Sequence, residues 1–269
     1  MRILTFLFAV CLMASCATDT AKTPEKKMND TPPTSAPSKM EKKYVVTPFA
    51  DTYQYTDANM ATMKYKAGTF NFDVKGDKYK LGKQTPDAPQ KMCANSAKGQ
   101  HIHLIVNNDP YMAKYTPSFD VDLPDGDHFI LAFLSRSYHE SIKTAQAHKA
   151  VKATVANKSI TSTSALTQPM LFYSRPKGTY VGAADTKKVM LDFYPVNAAI
   201  GTDYMVKADI NGEMHTLNKW QPYYVEGLPM GENKITLTLV DKDGKTVDTP
   251  LNPVTRKFTL KADAEQMSK

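Results

Sequence analysis

The sequence predicts an all-β protein with two tandem immunoglobulin-like β-sandwich domains, placed after an N-terminal signal and a disordered tether. Three observations lead to this prediction. The 269-residue chain contains 14 Tyr and 11 Phe, and aromatic residues favour strands. Short alternating apolar and polar runs, such as 69–74, are separated by turn sequences such as 75–77. The two halves also repeat one another, which indicates two sandwiches of about 100 residues each.

The N-terminus has the form of a secretory signal. Arg2 precedes an apolar run over 3–12, which is too short to span a bilayer. The following Met13-Ala14-Ser15-Cys16 resembles the lipobox of bacterial lipoproteins. This resemblance implies removal of residues 1–15 and lipidation of Cys16, which would anchor the protein to a membrane. The alternative is a plain signal peptide with an incidental cysteine.

The rest of the chain divides by composition. Residues 16–43 contain no aromatic or branched aliphatic side chain, so we expect the lipidated Cys16 to be followed by a disordered tether. We expect a first sandwich over 44–158, a Ser- and Thr-rich linker over 159–168, a second sandwich over 169–262 and a disordered tail over 263–269.

Charge and cysteine content exclude several classes of protein. The net charge of +7 is spread along the chain without a basic block among aromatic residues, so we expect no nucleic-acid partner. Cys11 lies in the signal and Cys16 is the lipidation site, which leaves Cys93 as a single thiol and permits no intrachain disulfide. The sequence has no G-x-S-x-G, H-E-x-x-H or phosphate-loop motif, so we expect no enzyme.

The internal repeat identifies histidines that the fold does not require. Leu123, Leu134 and Val155 match residues at a constant offset of 105 positions, namely Leu228, Leu239 and Leu260. Five of the 6 histidines lie in the first half. The second half has other residues in place of His101, His103 and His128, namely Met205, Lys207 and Asn233.

Strand parity predicts where these histidines point. Ile102 and Leu104 face the core by register with the second half, so His101 and His103 face outward. Antiparallel pairing with the strand that begins at His128 places His101 and His103 beside its far end, near Arg136 and His139, and leaves His128 at the opposite end. The outward face, which is rich in aromatic residues, is either covered by another segment or used for binding.

The histidines suggest a metal site, with a purely structural role as the alternative. His101 and His103, with His139 or Cys93, could hold Zn²⁺ or copper, because both ions accept imidazole and thiolate ligands. The alternative is that the histidines only cap a covered aromatic face through hydrogen bonds, and no cofactor is then expected.

The polar segment 135–142 suggests an anion site. Arg136 and Ser137, with His101, His103 and His139, could receive an anionic or phosphorylated group. The segment resembles the Ser-Arg-x-His stretch of forkhead-associated phosphopeptide-binding domains. The alternative is a turn at the end of a strand in which Arg136 makes a local salt bridge.

Residues 92–103 and 134–142, together with the lipobox and the tether, resemble a family of envelope lipoproteins from Bacteroidetes-type bacteria. Members of this family are often labelled phosphopeptide-binding proteins. The resemblance implies a lipid-anchored, non-enzymatic binding module of the cell envelope, at the outer membrane of a Gram-negative bacterium. It implies an anionic ligand and a protein or peptide partner. Metal binding by the histidines of the first sandwich is the alternative function.

Overall fold

The computed structural model describes residues 42–263. The predicted signal, Cys16, the tether up to residue 41 and the tail from 264 lie outside the described residues and stay predictions. Within the described range, no helix has the length and apolar character that crossing a membrane would need.

Strands account for most of the regular structure between residues 42 and 263, which confirms the all-β prediction. A short helix, α1 (Ala183–Thr186), lies between two of them. In chain order the strands are β1 (Val45–Pro48), β2 (Asn59–Lys66), β3 (Thr69–Lys75), β4 (His101–Val106), β5 (Met112–Lys114), β6 (Ser118–Asp120), β7 (Gly126–Ser135), β8 (His148–Ala156), β9 (Ser159–Ala165), β10 (Met170–Arg175), β11 (Gly178–Val181), β12 (Val189–Val196), β13 (Tyr204–Ile210), β14 (Glu213–Leu217), β15 (Tyr223–Glu226), β16 (Gly231–Asp241) and β17 (Val254–Lys261).

The strands form two β-sandwiches. In the first, the sheet β2-β3-β6 faces the sheet β5-β4-β7-β8-β9 across one hydrophobic core. In the second, β1-β15-β12-β10 faces β11-β17-β16-β13-β14 across another. The central pairs have the same register, since Val106 lies opposite Ile130 in β4–β7 and Ile210 opposite Ile235 in β13–β16. The repeat read from the sequence is therefore also a repeat of strand pairing.

The outward face of β4 and β7 is covered by the second sandwich. Leu131 and Phe133 pack with Met170, Phe172 and Tyr194 of β10 and β12 in a third hydrophobic cluster. All five side chains are essentially buried, and burying one Phe stabilises the fold by about 2 kcal/mol. The aromatic face predicted from strand parity is thus the contact surface between the two sandwiches.

The structure differs from the predicted domains at both ends of the first sandwich. Val45–Pro48 pairs with β15, so this edge strand belongs to the second sandwich although residue 44 was expected to begin the first. Ser159–Ala165 is strand β9 and not a linker. Asn157 and Lys158 both have positive φ, at 50° and 55°, which suits a tight two-residue hairpin. The Ser- and Thr-rich sequence reflects an exposed edge strand.

Candidate functional site

Three histidines meet at one end of the β4–β7 pair. His101 and His103 alternate along β4, and His101 lies opposite Ser135, the last residue of β7. The chain then turns, and the His139 N–H donates to the Arg136 carbonyl at 2.9 Å. His139 has a φ of 72°, a left-handed conformation that costs a non-glycine residue about 1 kcal/mol and is common at functional sites. This turn places His139 against His101.

In the histidine cluster, formed by His101, His103 and His139, a ring nitrogen of His101 lies next to a ring nitrogen of each of the other two. His101 Nε2 lies 2.9 Å from His103 Nε2 and 2.9 Å from His139 Nδ1. The three candidate ligand atoms all lie within 4.8 Å of one another. A tetrahedral Zn²⁺ with ordinary bond lengths holds its ligand nitrogens about 3.3 Å apart. To admit an ion, the two separations of 2.9 Å would have to widen, and the third, which is at most 4.8 Å, would have to approach the same value.

Hydrogen bonds on the far side of the rings determine which nitrogens carry lone pairs. His101 Nδ1 lies 2.8 Å from the Gly99 carbonyl, which can only accept, so Nδ1 carries the proton and Nε2 a lone pair. His103 Nδ1 lies 3.2 Å from Ser174 Oγ of the second sandwich. A metal-ligating histidine commonly uses its other nitrogen in this way.

The nitrogens of the neutral cluster are poorly matched as donors and acceptors. His101 Nε2 has one lone pair and accepts one good hydrogen bond, yet two histidine nitrogens lie 2.9 Å from it. If His103 Nε2 donates to His101 Nε2, the lone pair of His139 Nδ1 faces that of His101. If His139 Nδ1 donates instead, the lone pair of His103 Nε2 faces that of His101. A cation bound between the three nitrogens removes this conflict.

Burial keeps the three imidazoles neutral. It lowers the pKa of His101 to about 4 and the pKa values of His103 and His139 well below their usual value. The cations Arg175 and Lys177 lower these pKa values further. Neutral imidazole is the form that binds metals.

Aromatic rings enclose the cluster. Tyr111 stacks on His103 with ring centroids 3.7 Å apart and planes 7° apart, and Phe133 contacts the same ring at 4.9 Å. Tyr115 lies 5.0 Å from His101. His101 and His103 have no exposed surface, and His139 is partly exposed. The site is therefore nearly closed, with its accessible side at His139.

Cys93 does not join the predicted metal ligands. It is buried in an apolar cluster with Phe49, Tyr138, Met190 and Tyr224. Burial raises the pKa of its thiol to about 12, so it is a protonated, apolar side chain. Because Cys93 packs in this apolar cluster, only the three histidines of the predicted metal ligands lie together.

Arg136 and Ser137 also lie outside the histidine cluster. Arg136 donates from Nε and Nη2 to the Tyr53 carbonyl at 3.1 and 2.6 Å, and lies 3.5 Å from Glu140 in an ion pair. Ser137 exchanges hydrogen bonds with Thr85. Both side chains are buried. The structure thus corrects the predicted anion site, because its donors are used inside the protein, and Arg136 makes the local salt bridge of the alternative.

Sequence reasoning missed the residues around the histidines. Tyr111 comes from the loop before β5, and Ser174, Arg175 and Lys177 come from the second sandwich. The β4–β5 loop brings in Tyr111 and the contact between sandwiches brings in the other three, and no periodic pattern of a single strand indicates either contact. His128 lies at the opposite end of β7, as predicted, where Asn107 and Pro124 are its partners.

No protein-family model matches the chain, and no curated protein matches it. Among solved structures, it is similar to the fibronectin(III)-like modules of CbhA from Clostridium thermocellum, with a TM-score of 0.28 and 17% identity over 35% of this chain and 99% of that one. It is also similar to a Ca²⁺-stabilized adhesin with which an Antarctic bacterium binds ice, with a TM-score of 0.23 and 14% identity over 77% of this chain and 50% of that one. A third is SGBP-B of the Bacteroides ovatus mixed-linkage glucan utilization locus, solved with a mixed-linkage heptasaccharide, with a TM-score of 0.21 and 7% identity over 82% of this chain and 71% of that one. Likenesses at this level transfer neither ligand nor activity.

Proposed function

We propose that the protein is a non-enzymatic binding module that holds one divalent transition-metal ion, Zn²⁺ or Cu²⁺, between His101, His103 and His139. The observation that carries this proposal is the grouping of three neutral imidazole nitrogens within 4.8 Å of one another, with His101 Nε2 2.9 Å from each of the other two. The alternative function from the sequence thereby gains more support than the anionic ligand.

The donor set selects the class of ion. Three imidazole nitrogens suit Zn²⁺ and Cu²⁺, whereas Ca²⁺ and Mg²⁺ take oxygen ligands. The Gly99 carbonyl and Ser174 Oγ hold the rings of His101 and His103 in orientation, which raises metal affinity. The near-complete burial of these two rings supports holding an ion over catalysis, because catalytic metal sites keep a position open to substrate.

Metal titration tests the proposal. Metal-stripped protein without an affinity tag is titrated calorimetrically with Zn²⁺ and with Cu²⁺, and we expect about one equivalent of either ion to bind. His101→Ala should lower the affinity at least a hundredfold, because it removes one of three ligands. The matched control is His128→Asn, which changes a histidine outside the cluster to the residue that the second sandwich has. Absence of metal binding, or an equal loss of metal affinity in both variants, would overturn the proposal.

The protein is further proposed to be anchored in the cell envelope through Cys16. The lipobox resemblance of Met13-Ala14-Ser15-Cys16 supports this. Cys16→Ser should release the protein from the membrane fraction and abolish incorporation of labelled palmitate. Cys11→Ser, in the apolar part of the signal, should change neither. Unchanged labelling of Cys16→Ser would contradict the lipid anchor.

A phosphorylated or other anionic peptide has less support as the ligand, because Arg136 already donates to Tyr53 and pairs with Glu140. Titration with a phosphopeptide, and with the same peptide unphosphorylated, tests whether Arg136 binds an anionic ligand. A chemical-shift response near Arg136 to the phosphorylated form alone would restore this ligand, and an equal response to both would remove it.

A further inference from the structure

A groove of about 630 Å³ lies between the edges of the two sheets of the first sandwich. Strand β2 ends one of these sheets and strand β9 ends the other, so each of them pairs with a single neighbouring strand among the described residues. The tips of the two hairpins meet at one end of the groove, where the Gly68 N–H donates to the Lys158 carbonyl at 2.7 Å. Beyond this bond the two edges flank the groove.

The apolar residues of the groove form the margin of the first hydrophobic core. Met63, Val151 and Ile160 pack against that core but stay partly exposed. They line the groove together, from β2, β8 and β9 respectively. A chain segment lying in the groove would remove them from water, and this burial favours association.

The charged side chains of the groove all have the same sign. Lys64, Lys66 and Lys149 line it, and none of its lining residues is acidic. Within residues 42–263, no ion pair includes any of these three lysines. A partner with acidic side chains would therefore be attracted to the groove, and partners with basic side chains would be repelled.

The free edge of β9 can accept another strand. Charged residues and proline commonly protect a sheet edge from pairing, and Ser159–Ala165 contains neither. Thr161 has no partner in β8, which leaves 162–165 as the regular part of the edge. Alternate residues of such a stretch turn their N–H and C=O groups away from the neighbouring strand. The edge of β2, in contrast, has Lys64 and Lys66.

We propose that the groove binds an extended acidic peptide, which adds to β9 as a further strand of the sheet β5-β4-β7-β8-β9. Main-chain hydrogen bonds to β9 supply affinity, and the side chains of the peptide supply specificity. Its apolar side chains cover Met63, Val151 and Ile160, and its Asp or Glu side chains lie beside the lysines. An anionic lipid would match the apolar residues and the lysines, but it has no row of peptide groups to pair with a strand edge.

A displayed library of random heptapeptides, selected against the purified protein, supplies the probe. We expect the selected sequences to be rich in Asp, Glu and β-branched residues and poor in Lys, Arg and Pro. The synthetic peptide of the selected sequence should slow amide hydrogen exchange over 162–165 by about tenfold or more, because paired backbone groups exchange slowly. Absence of binders, selection without acidic residues, or protection only elsewhere in the chain would overturn the inference.

Charge reversal tests the lysines. Lys64→Glu combined with Lys66→Glu should weaken binding of this peptide about tenfold or more. The matched control is Lys234→Glu combined with Lys242→Glu, which makes the same change of net charge at exposed positions of the second sandwich and should bind the peptide as the wild type does. Equal weakening in the two double variants would overturn the inference, because it would make net charge the cause.

Hydrogen exchange of the wild-type protein also identifies other occupants of the groove. Protection of 162–165 by phosphatidylglycerol vesicles and not by the peptide would assign the groove to a lipid surface. Protection that rises with protein concentration in the absence of peptide would assign it to a second copy of this chain. Either result would overturn the inference. These measurements need no variant, so they decide the matter even where a charge reversal impairs folding.

Discussion

His128 and Asn233 make equivalent hydrogen bonds in the two sandwiches. His128 Nδ1 lies 2.9 Å from the Asn107 side-chain amide, and its Nε2 lies 2.8 Å from the Pro124 carbonyl. Asn233 bonds the two counterparts at 2.8 Å in each case, namely Asn211 and Pro229. An imidazole and a carboxamide thus make equivalent hydrogen bonds, which connect the start of a long strand, β7 or β16, to the turn before it.

We therefore expect His128→Asn to keep its stability and His128→Ala to lose about 1–2 kcal/mol of unfolding free energy, because Asn107 and the Pro124 carbonyl would lose their partner. Urea denaturation of both variants measures this difference. An equal loss in the two would show that the imidazole itself is required.

Ser174→Ala should lower metal affinity by about ten- to a hundredfold, because it removes the partner of His103 Nδ1 and frees the ring to rotate. Calorimetric titration measures the change. Ser164→Ala, on the exposed edge strand β9, is the control and should bind as the wild type does. Unchanged affinity in Ser174→Ala would mean that the second sandwich does not orient the site.

The metal-free protein should lose stability in mild acid. Burial lowers the pKa of His101 to about 4, so the unfolded chain binds more protons than the folded one between about pH 6.5 and pH 4. The contribution is fully present above pH 6.5 and is lost as the pH falls towards 4. For His101 alone, the change from pH 7 to pH 5 is about 2 kcal/mol.

Urea denaturation at pH 7 and pH 5 with a chelator present measures this loss. His101→Asn is the comparison, since it has no group that titrates in this range and should show a smaller difference between the two pH values. The same pH dependence in the variant and the wild type would contradict the lowered pKa of His101.

Cys93 should react slowly with thiol reagents in the native protein, because burial raises its pKa to about 12 and leaves little thiolate. Denatured protein should react at once. Cys93→Ala should leave metal affinity unchanged, since its neighbours are apolar and aromatic. Weaker metal binding in this variant would return Cys93 to the ligand set.

The position of His101 and His103 could be predicted from the sequence because it depends on two local regularities. Strand alternation separates them from Ile102 and Leu104, and the repeat supplies the register with β7. His139 followed from the same pairing. These features need no knowledge of how the two sandwiches meet.

The environment of the histidines could not be predicted in this way. The left-handed backbone at His139 decides that its side chain joins the cluster, while Arg136 points to the Tyr53 carbonyl. Tyr111 reaches the site from the loop between β4 and β5, and Ser174 reaches it from the second sandwich. A turn conformation and a long-range contact depend on the packing of the whole chain, which alternation along one strand does not describe.

The contact between the sandwiches also determines how long an apolar surface stays exposed while the chain is being made. When the chain has emerged only as far as β9, Leu131 and Phe133 of the first sandwich still face water, because β10 and β12 cover them later. At ordinary translation speed the second half takes roughly 5–20 s to make. Strand β1 stays unpaired for even longer, since its partner is β15, which follows β12 in the chain. The apolar face of the first sandwich is therefore exposed for as long as the second half of the chain takes to emerge.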